Sequence, residues 1–203
     1  MSAKTVEIET PHGLARAHVH AVERARAALV LGHGAAGGVE AKDLVAARDA
    51  ALEERVSVAL VEQPYRVAGR KSPAPAHQLD TVWTAVVEQL GAGELSRLPL
   101  IVGGRSLGGR VACRTAASLG AIGVVCLAFP LQPPRRSVES RLPELNSVTV
   151  PVLVVQGERD PFGVPPAGPK RTVVRVAGDH GLKADSEAVG AAVQTWLHHL
   201  LAS

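Results

Sequence analysis

The feature that most restricts how this chain can fold is a series of short, unbroken apolar runs separated by stretches of helical periodicity. The runs are residues 27–31, 56–61, 98–102, 122–127, 150–155 and 173–176. Each is strongly β-branched or aliphatic and continuous rather than alternating with polar residues, which is the pattern of a strand covered on both faces. Between the runs, Leu79, Val82, Trp83, Val86, Val87 and Leu90 recur at helical spacing. So do Val189, Val193, Trp196, Leu197 and Leu200, behind a cap at Asp185 or Ser186. Two further helices are expected over 41–55 and 107–118. Strands alternating with helices predict right-handed βαβ units, hence an α/β protein with a mainly parallel sheet and helices on both faces. Residues 6–8 and 15–22, around Pro11-His12-Gly13, are expected to add an antiparallel hairpin at one edge.

The 203 residues have the length of one domain, and no repeat or linker divides 1–203. Trp83, Trp196, Tyr65, Phe129 and Phe162 are the only Trp, Tyr and Phe residues, so the core must be aliphatic. The net charge of +3 comes from scattered arginines, without the dense basic block or interleaved aromatics of a nucleic-acid surface. Cys113 and Cys126 lie in apolar surroundings and fit no metal or redox spacing; they read as buried hydrophobes in a reducing compartment. The first residues lack the apolar core of a signal peptide, and no run is long enough to span a bilayer. The expectation is a cytoplasmic protein with no membrane or nucleic-acid partner.

In open α/β sheets, ligands bind beyond the carboxyl ends of the strands. Chemistry should therefore follow the apolar runs. The run 98–102 leads into Gly104-Arg105-Ser106-Leu107-Gly108 and then a helical segment, a G-x-S-x-G elbow in the strand–turn–helix setting the motif requires. The pentapeptide alone is weak evidence in a chain with 20 glycines; its position after a buried strand strengthens it. A serine needs a base, and the base needs an orienting acid. Run 150–155 ends in Gln156-Gly157-Glu158-Arg159-Asp160, and the last run ends in Gly178-Asp179-His180. Ser106, Asp160 and His180 thus form a candidate triad in the order Ser, acid, His. Asp179 adjoins His180, but neighbours in an extended segment point apart, so Asp160 is the expected acid. After run 27–31, Gly32-His33-Gly34-Ala35 offers a backbone donor; the N–H groups of Ala35 and Leu107 are the expected oxyanion hole, with His33 pinning the loop. That stretch lacks the lysine and glycine spacing of nucleotide-binding loops, and neither a cofactor nor a metal is expected.

Taken together, Leu31-Gly32-His33-Gly34-Ala35, Glu62-Gln63-Pro64-Tyr65-Arg66, the elbow through Arg110, Phe129-Pro130-Leu131, Gly157 through Gly163 and Gly178-Asp179-His180 resemble a small branch of α/β-hydrolases. The branch is related to dienelactone hydrolases, to testis-expressed hydrolase-like proteins and to a hydrolase-like subunit of a chromatin-modifying complex. The resemblance runs from about residue 29 to the C-terminus and implies the α/β-hydrolase fold and the Ser106, Asp160, His180 triad. Dienelactone hydrolases use a cysteine nucleophile where this chain has Ser106, so their substrate does not carry over. The branch that the chain resembles also includes eukaryotic proteins with scaffold-like roles.

Between Phe129 and Val150 there is room for one short helix, which implies a minimal cap or none. An open site suits small carboxylic esters or thioesters. A peptidase or amidase on the same triad and a non-catalytic binding module are the alternatives. Tyr65, Phe129 and Phe162 follow strands and are candidate substrate contacts, although packing within their own loops would explain them equally well. Arg66, Arg70, Lys71, Arg135, Arg136, Lys170 and Arg171 are a candidate basic rim for anionic esters, or simply solvated loop charges.

Overall fold

The computed structural model describes residues 3–132 and 139–202. Among the described residues eight strands form one sheet: β1 (Lys4–Thr10), β2 (Gly13–His20), β3 (Ala27–Gly32), β4 (Val56–Glu62), β5 (Leu100–Arg105), β6 (Gly123–Leu127), β7 (Val152–Gly157) and β8 (Arg171–Val176). Their spatial order is β1-β2-β4-β3-β5-β6-β7-β8. The β1–β2 and β2–β4 pairs are antiparallel and all the others parallel, so the sheet is mixed but mainly parallel with the hairpin at one edge. Six helices accompany it among the same residues: α1 (Lys42–Glu53), α2 (Pro64–Val67), α3 (Ala76–Ala92), α4 (Leu107–Thr115), α5 (Leu142–Asn146) and α6 (Ser186–Ala202).

Side-chain alternation along each strand divides the interior into two layers. Ala28, Val30, Val102, Val124, Cys126 and Val154 face α3 and α4 and pack against Leu79, Trp83, Val86 and Val111. Leu29, Leu31, Ile101, Val125, Leu127 and Leu153 face α1 and α6 and meet Leu44, Ala47, Val189, Val193 and Leu197. Both faces of β3, β4, β6 and β7 are buried, which is why their sequences read as unbroken apolar runs. The free thiols of Cys113 and Cys126 lie 3.6 Å apart within the first layer. Strand β8 departs from the pattern. It is an edge strand with Thr172 and Arg175 exposed, so the sequence showed it only as the shorter run 173–176, itself interrupted by Arg175.

Among the described residues between β6 and β7, the one helix is the five-residue α5. Arg110 of α4 holds Glu144 of α5 through Nε and Nη2 at 2.8 and 2.6 Å, while Arg114 holds Asp80 of α3 at 2.8 and 2.6 Å. The first fork fixes α5 against α4, and the second ties α4 to α3.

Candidate active site

Every residue of the site leaves the sheet at the carboxyl end of a strand. Ser106 sits between β5 and α4 with φ 49° and ψ −105°, a conformation that costs an L-residue about 1–3 kcal/mol. Its N–H donates to the Leu127 carbonyl at 2.8 Å. The turn is possible because backbone crosses backbone on both sides of it. A Cβ on Gly104 would lie 2.5 Å from the Gly32 carbonyl oxygen, and one on Gly108 would lie 2.3 Å from the same atom. The elbow glycines therefore seat the serine against the end of β3.

The structure brings Ser106, His180 and Asp160 together. Ser106 Oγ is 3.0 Å from His180 Nε2, and His180 Nδ1 is 2.8 Å from Asp160 Oδ2. The Asp160 side chain is fully buried, whereas that of His180 is one-fifth exposed. Asp160 is a well-held acceptor: the Phe162 N–H donates to its Oδ1 at 2.8 Å, and the Gln156 amide donates to Oδ2 at 2.7 Å. Asp179 is exposed and accepts the Gly181 N–H at 2.8 Å; it shapes the turn rather than meeting the imidazole. Phe162 stands edge-on to the His180 ring at 4.5 Å between centroids.

The loop Gly32 to Ala35 is braced from behind. His33 Nδ1 donates to the Gly34 carbonyl at 2.8 Å and Nε2 accepts the Gln63 N–H at 3.1 Å, which sets the neutral Nδ1–H form. Burial pushes the His33 pKa below its ordinary value and favours that form. The Gly34 carbonyl belongs to the same peptide as the Ala35 N–H, so His33 sets the orientation of that donor. The Tyr65 hydroxyl donates to the Ala35 carbonyl at 3.1 Å. Burial raises the Tyr65 pKa to about 12, so this donor persists at any working pH. Leu107 opens α4, and its N–H has no partner within the helix.

Two expectations need correction. Phe129 is not at the mouth of the site. Ala128, at φ 51°, turns the chain after β6 and sends the Phe129 ring into the core on the α3–α4 side, fully buried. Nor do Lys170 and Arg171 belong to the rim. They stand at the amino end of β8, opposite His180, and bind the Thr149 carbonyl and the Asn146 side chain. Arg66 is half-buried, Arg70 and Lys71 are exposed, and Arg135 and Arg136 lie outside the described residues.

Gln156 is a supporting residue that the sequence did not single out. It is fully buried, and its amide nitrogen is also within hydrogen-bond distance of the carbonyls of Phe129 and Gly163, at 3.0 and 2.9 Å, so two N–H groups are shared among three acceptors. Its one signal was a lone amide at the end of an otherwise apolar run.

A family model described as an alpha/beta hydrolase domain matches residues 25–199. The chain belongs to the α/β-hydrolase family. A search of curated proteins gives no match. Solved α/β-hydrolase-like structures superpose over nearly the whole chain. A Xanthomonas campestris protein, described as an α/β serine hydrolase without a lid, is 19% identical with a TM-score of 0.81, covering 100% of this chain and 97% of that one. Est1E from Butyrivibrio proteoclasticus is 16% identical with a TM-score of 0.79 over 100% of both chains, and it has also been solved with ferulic acid bound. A dienelactone hydrolase from Anabaena variabilis is 14% identical with a TM-score of 0.76, covering 97% of this chain and 95% of that one.

Proposed function

We propose that this α/β-hydrolase is a single-domain serine hydrolase of small carboxylic esters or thioesters, working through an acyl-enzyme on Ser106. The observation that carries the reading is the continuous contact from Ser106 Oγ through both His180 nitrogens to the buried Asp160. In acylation, His180 Nε2 takes the Ser106 proton as Oγ bonds to the substrate carbonyl carbon. The charge on the carbonyl oxygen falls to the Leu107 and Ala35 N–H groups, held by α4 and by the His33 brace. Collapse of the adduct breaks the bond to the alcohol or thiol, which receives the proton from His180. Water, deprotonated by His180, then attacks the acyl carbon, releases the acid and returns the proton to Ser106. Asp160 keeps Nδ1 protonated and partners the imidazolium.

Phe162, beside His180, supplies apolar surface for a compact acyl group, whereas Tyr65 is buried behind the loop and braces it rather than facing substrate. A cavity of about 10 Å³ lies behind Leu107, lined by Gly32, His33, Gln63, Tyr65, Leu79 and neighbours, with room for about one water molecule. The ferulic acid held by the Butyrivibrio relative is a ligand of similar kind. Among the described residues no helix is long and apolar enough to cross a membrane.

Labelling by a fluorophosphonate probe, with Ser106→Ala as control, tests the nucleophile; p-nitrophenyl esters of increasing acyl length test the substrate. Labelling that depends on Ser106, with turnover falling as the chain lengthens, is expected. An unlabelled protein would point instead to a binding module, and faster cleavage of amides than of esters to a peptidase.

A further inference from the structure

The residue before the nucleophile has no role in the chemistry above, yet its side chain is placed with unusual specificity. Arg105 ends β5 and its guanidinium is mostly buried. Its Nη2 donates to the backbone carbonyl of His180 at 3.1 Å. Its Nε faces Asp43 Oδ2 at 3.0 Å, and the Asp43 side chain is almost wholly buried in the first turn of α1. Its Nη1 lies over Gly34, where a Cβ would approach it to 2.8 Å. One guanidinium therefore touches the donor loop, α1 and the loop carrying the base, while its own backbone leads directly into Ser106.

We propose that Arg105 is a positioning residue that holds the His180 loop at the distance from Ser106 required for proton transfer, with Asp43 anchoring the guanidinium. The planar guanidinium of an arginine suits this task, because nitrogens at fixed angles face the His180 carbonyl and the Asp43 carboxylate at once while the group packs over Gly34. His180 needs such a hold. It follows the edge strand β8 after a loop that includes Gly178, so it is fixed by one sheet neighbour and by its own hydrogen bonds. Asp43 serves as a fixed anchor because it emerges from a helix packed on the sheet. Burial pushes the Asp43 carboxyl upward and the Arg105 charge opposes that shift, the pattern of a buried acid kept for its partner. The proposal rests on the hydrolase reading for its kinetic consequence but not for its geometry.

Breaking a buried ion pair from one side destabilises a fold whatever the residue does for catalysis. The decisive variant therefore removes both charges: Arg105→Met with Asp43→Leu. A purely structural role predicts that this pair recovers both thermal midpoint and kcat. Positioning predicts that the midpoint recovers while kcat on an activated ester stays down about ten- to a hundredfold with KM little changed, since small misplacements of a base carry penalties of that order. If the double variant does not fold, Arg105→Lys decides: it keeps a charge facing Asp43 without a fork, so an unchanged kcat overturns the proposal. The downfield proton resonance of the His180 Nδ1–H, bonded to Asp160, provides a readout without substrate. It should be sharp in the wild type and broadened by exchange in the double variant. A wild type that hydrolyses no ester would refute the function while this resonance still decides the role of Arg105. An identical resonance in both proteins would refute the positioning.

Discussion

Replacing Gly108 with alanine separates the geometry of the donors from the stability of the fold. The added Cβ would stand 2.3 Å from the Gly32 carbonyl oxygen, 2.6 Å from the Gly32 carbonyl carbon and 3.0 Å from the His33 oxygen. All three are backbone atoms at the end of β3 and cannot swing aside. Comfortable contacts begin near about 3.5 Å, so α4 and the Gly32–His33 segment must part by roughly 1 Å. Overpacking of this kind costs about 1–3 kcal/mol, while alanine in place of glycine returns up to about 1 kcal/mol in a helix. The net loss of zero to about 3 kcal/mol lowers the thermal midpoint by no more than about 10 °C in a domain of this size. The donors suffer more, because the movement separates Leu107 on α4 from Ala35 on the loop, and losing one oxyanion donor costs about 10²–10³ in kcat. Gly91 is the control: it lies in α3, and a methyl group added there would meet nothing within 4 Å. Gly91→Ala should stabilise slightly, by about 0.5–1 kcal/mol, and leave kcat alone. Steady-state kinetics and thermal melts of the two variants decide the matter. A Gly108→Ala enzyme with wild-type kcat would refute the assignment of the donors.

The remaining predictions follow from the partners of the triad. Asp160→Asn should lose up to about 10⁴ in kcat through the wrong imidazole form, whereas Asp179→Asn, which keeps the acceptor for Gly181, should stay within about tenfold; a reversal of the two would move the acid. Gln156→Leu removes a hydrogen bond to a buried carboxylate and strands the Gly163 carbonyl, so a loss of about 2–4 kcal/mol is expected in a denaturant titration. Because burial lowers the pKa of His33, the unfolded chain gains a proton there before the folded one does. His33 thus contributes its full stability above its ordinary value of 6.5 and loses it as the pH falls through 6.5 toward the folded value. Between pH 7.5 and 5.5, His33→Gln should flatten the stability curve by up to about 1.4 kcal/mol per pH unit, and equal slopes would exclude this role.

How much of this was legible in the sequence follows from where each signal is stored. The continuous runs of β3, β4, β6 and β7 report burial on both faces, and a chain has few other reasons to write five or six mostly aliphatic residues without alternation. The same logic made β8 hard to delimit, because an edge strand with Arg171, Thr172 and Arg175 carries polar residues that look like loop. Helix α2 begins at Pro64 and has four residues, too few for any period to show. The side chains that meet at the site were readable because each follows a strand, and the sheet fixes where strands end.

What supports those side chains was not readable, since the support is tertiary. Nothing local tells that the Gln156 amide turns toward Asp160, that the Tyr65 hydroxyl meets the Ala35 carbonyl, or that Arg105 reaches across to His180. Phe129 shows the converse error. An aromatic after a strand suggests a binding wall, but one residue at positive φ, Ala128, redirects the ring into the core. Sequence position locates the end of a strand to within about three residues, and the backbone turn at that end decides which way the side chain faces. The glycines of the elbow mark the one turn here whose direction could be foreseen, because backbone passing backbone at Gly32 leaves no other residue type room to stand there.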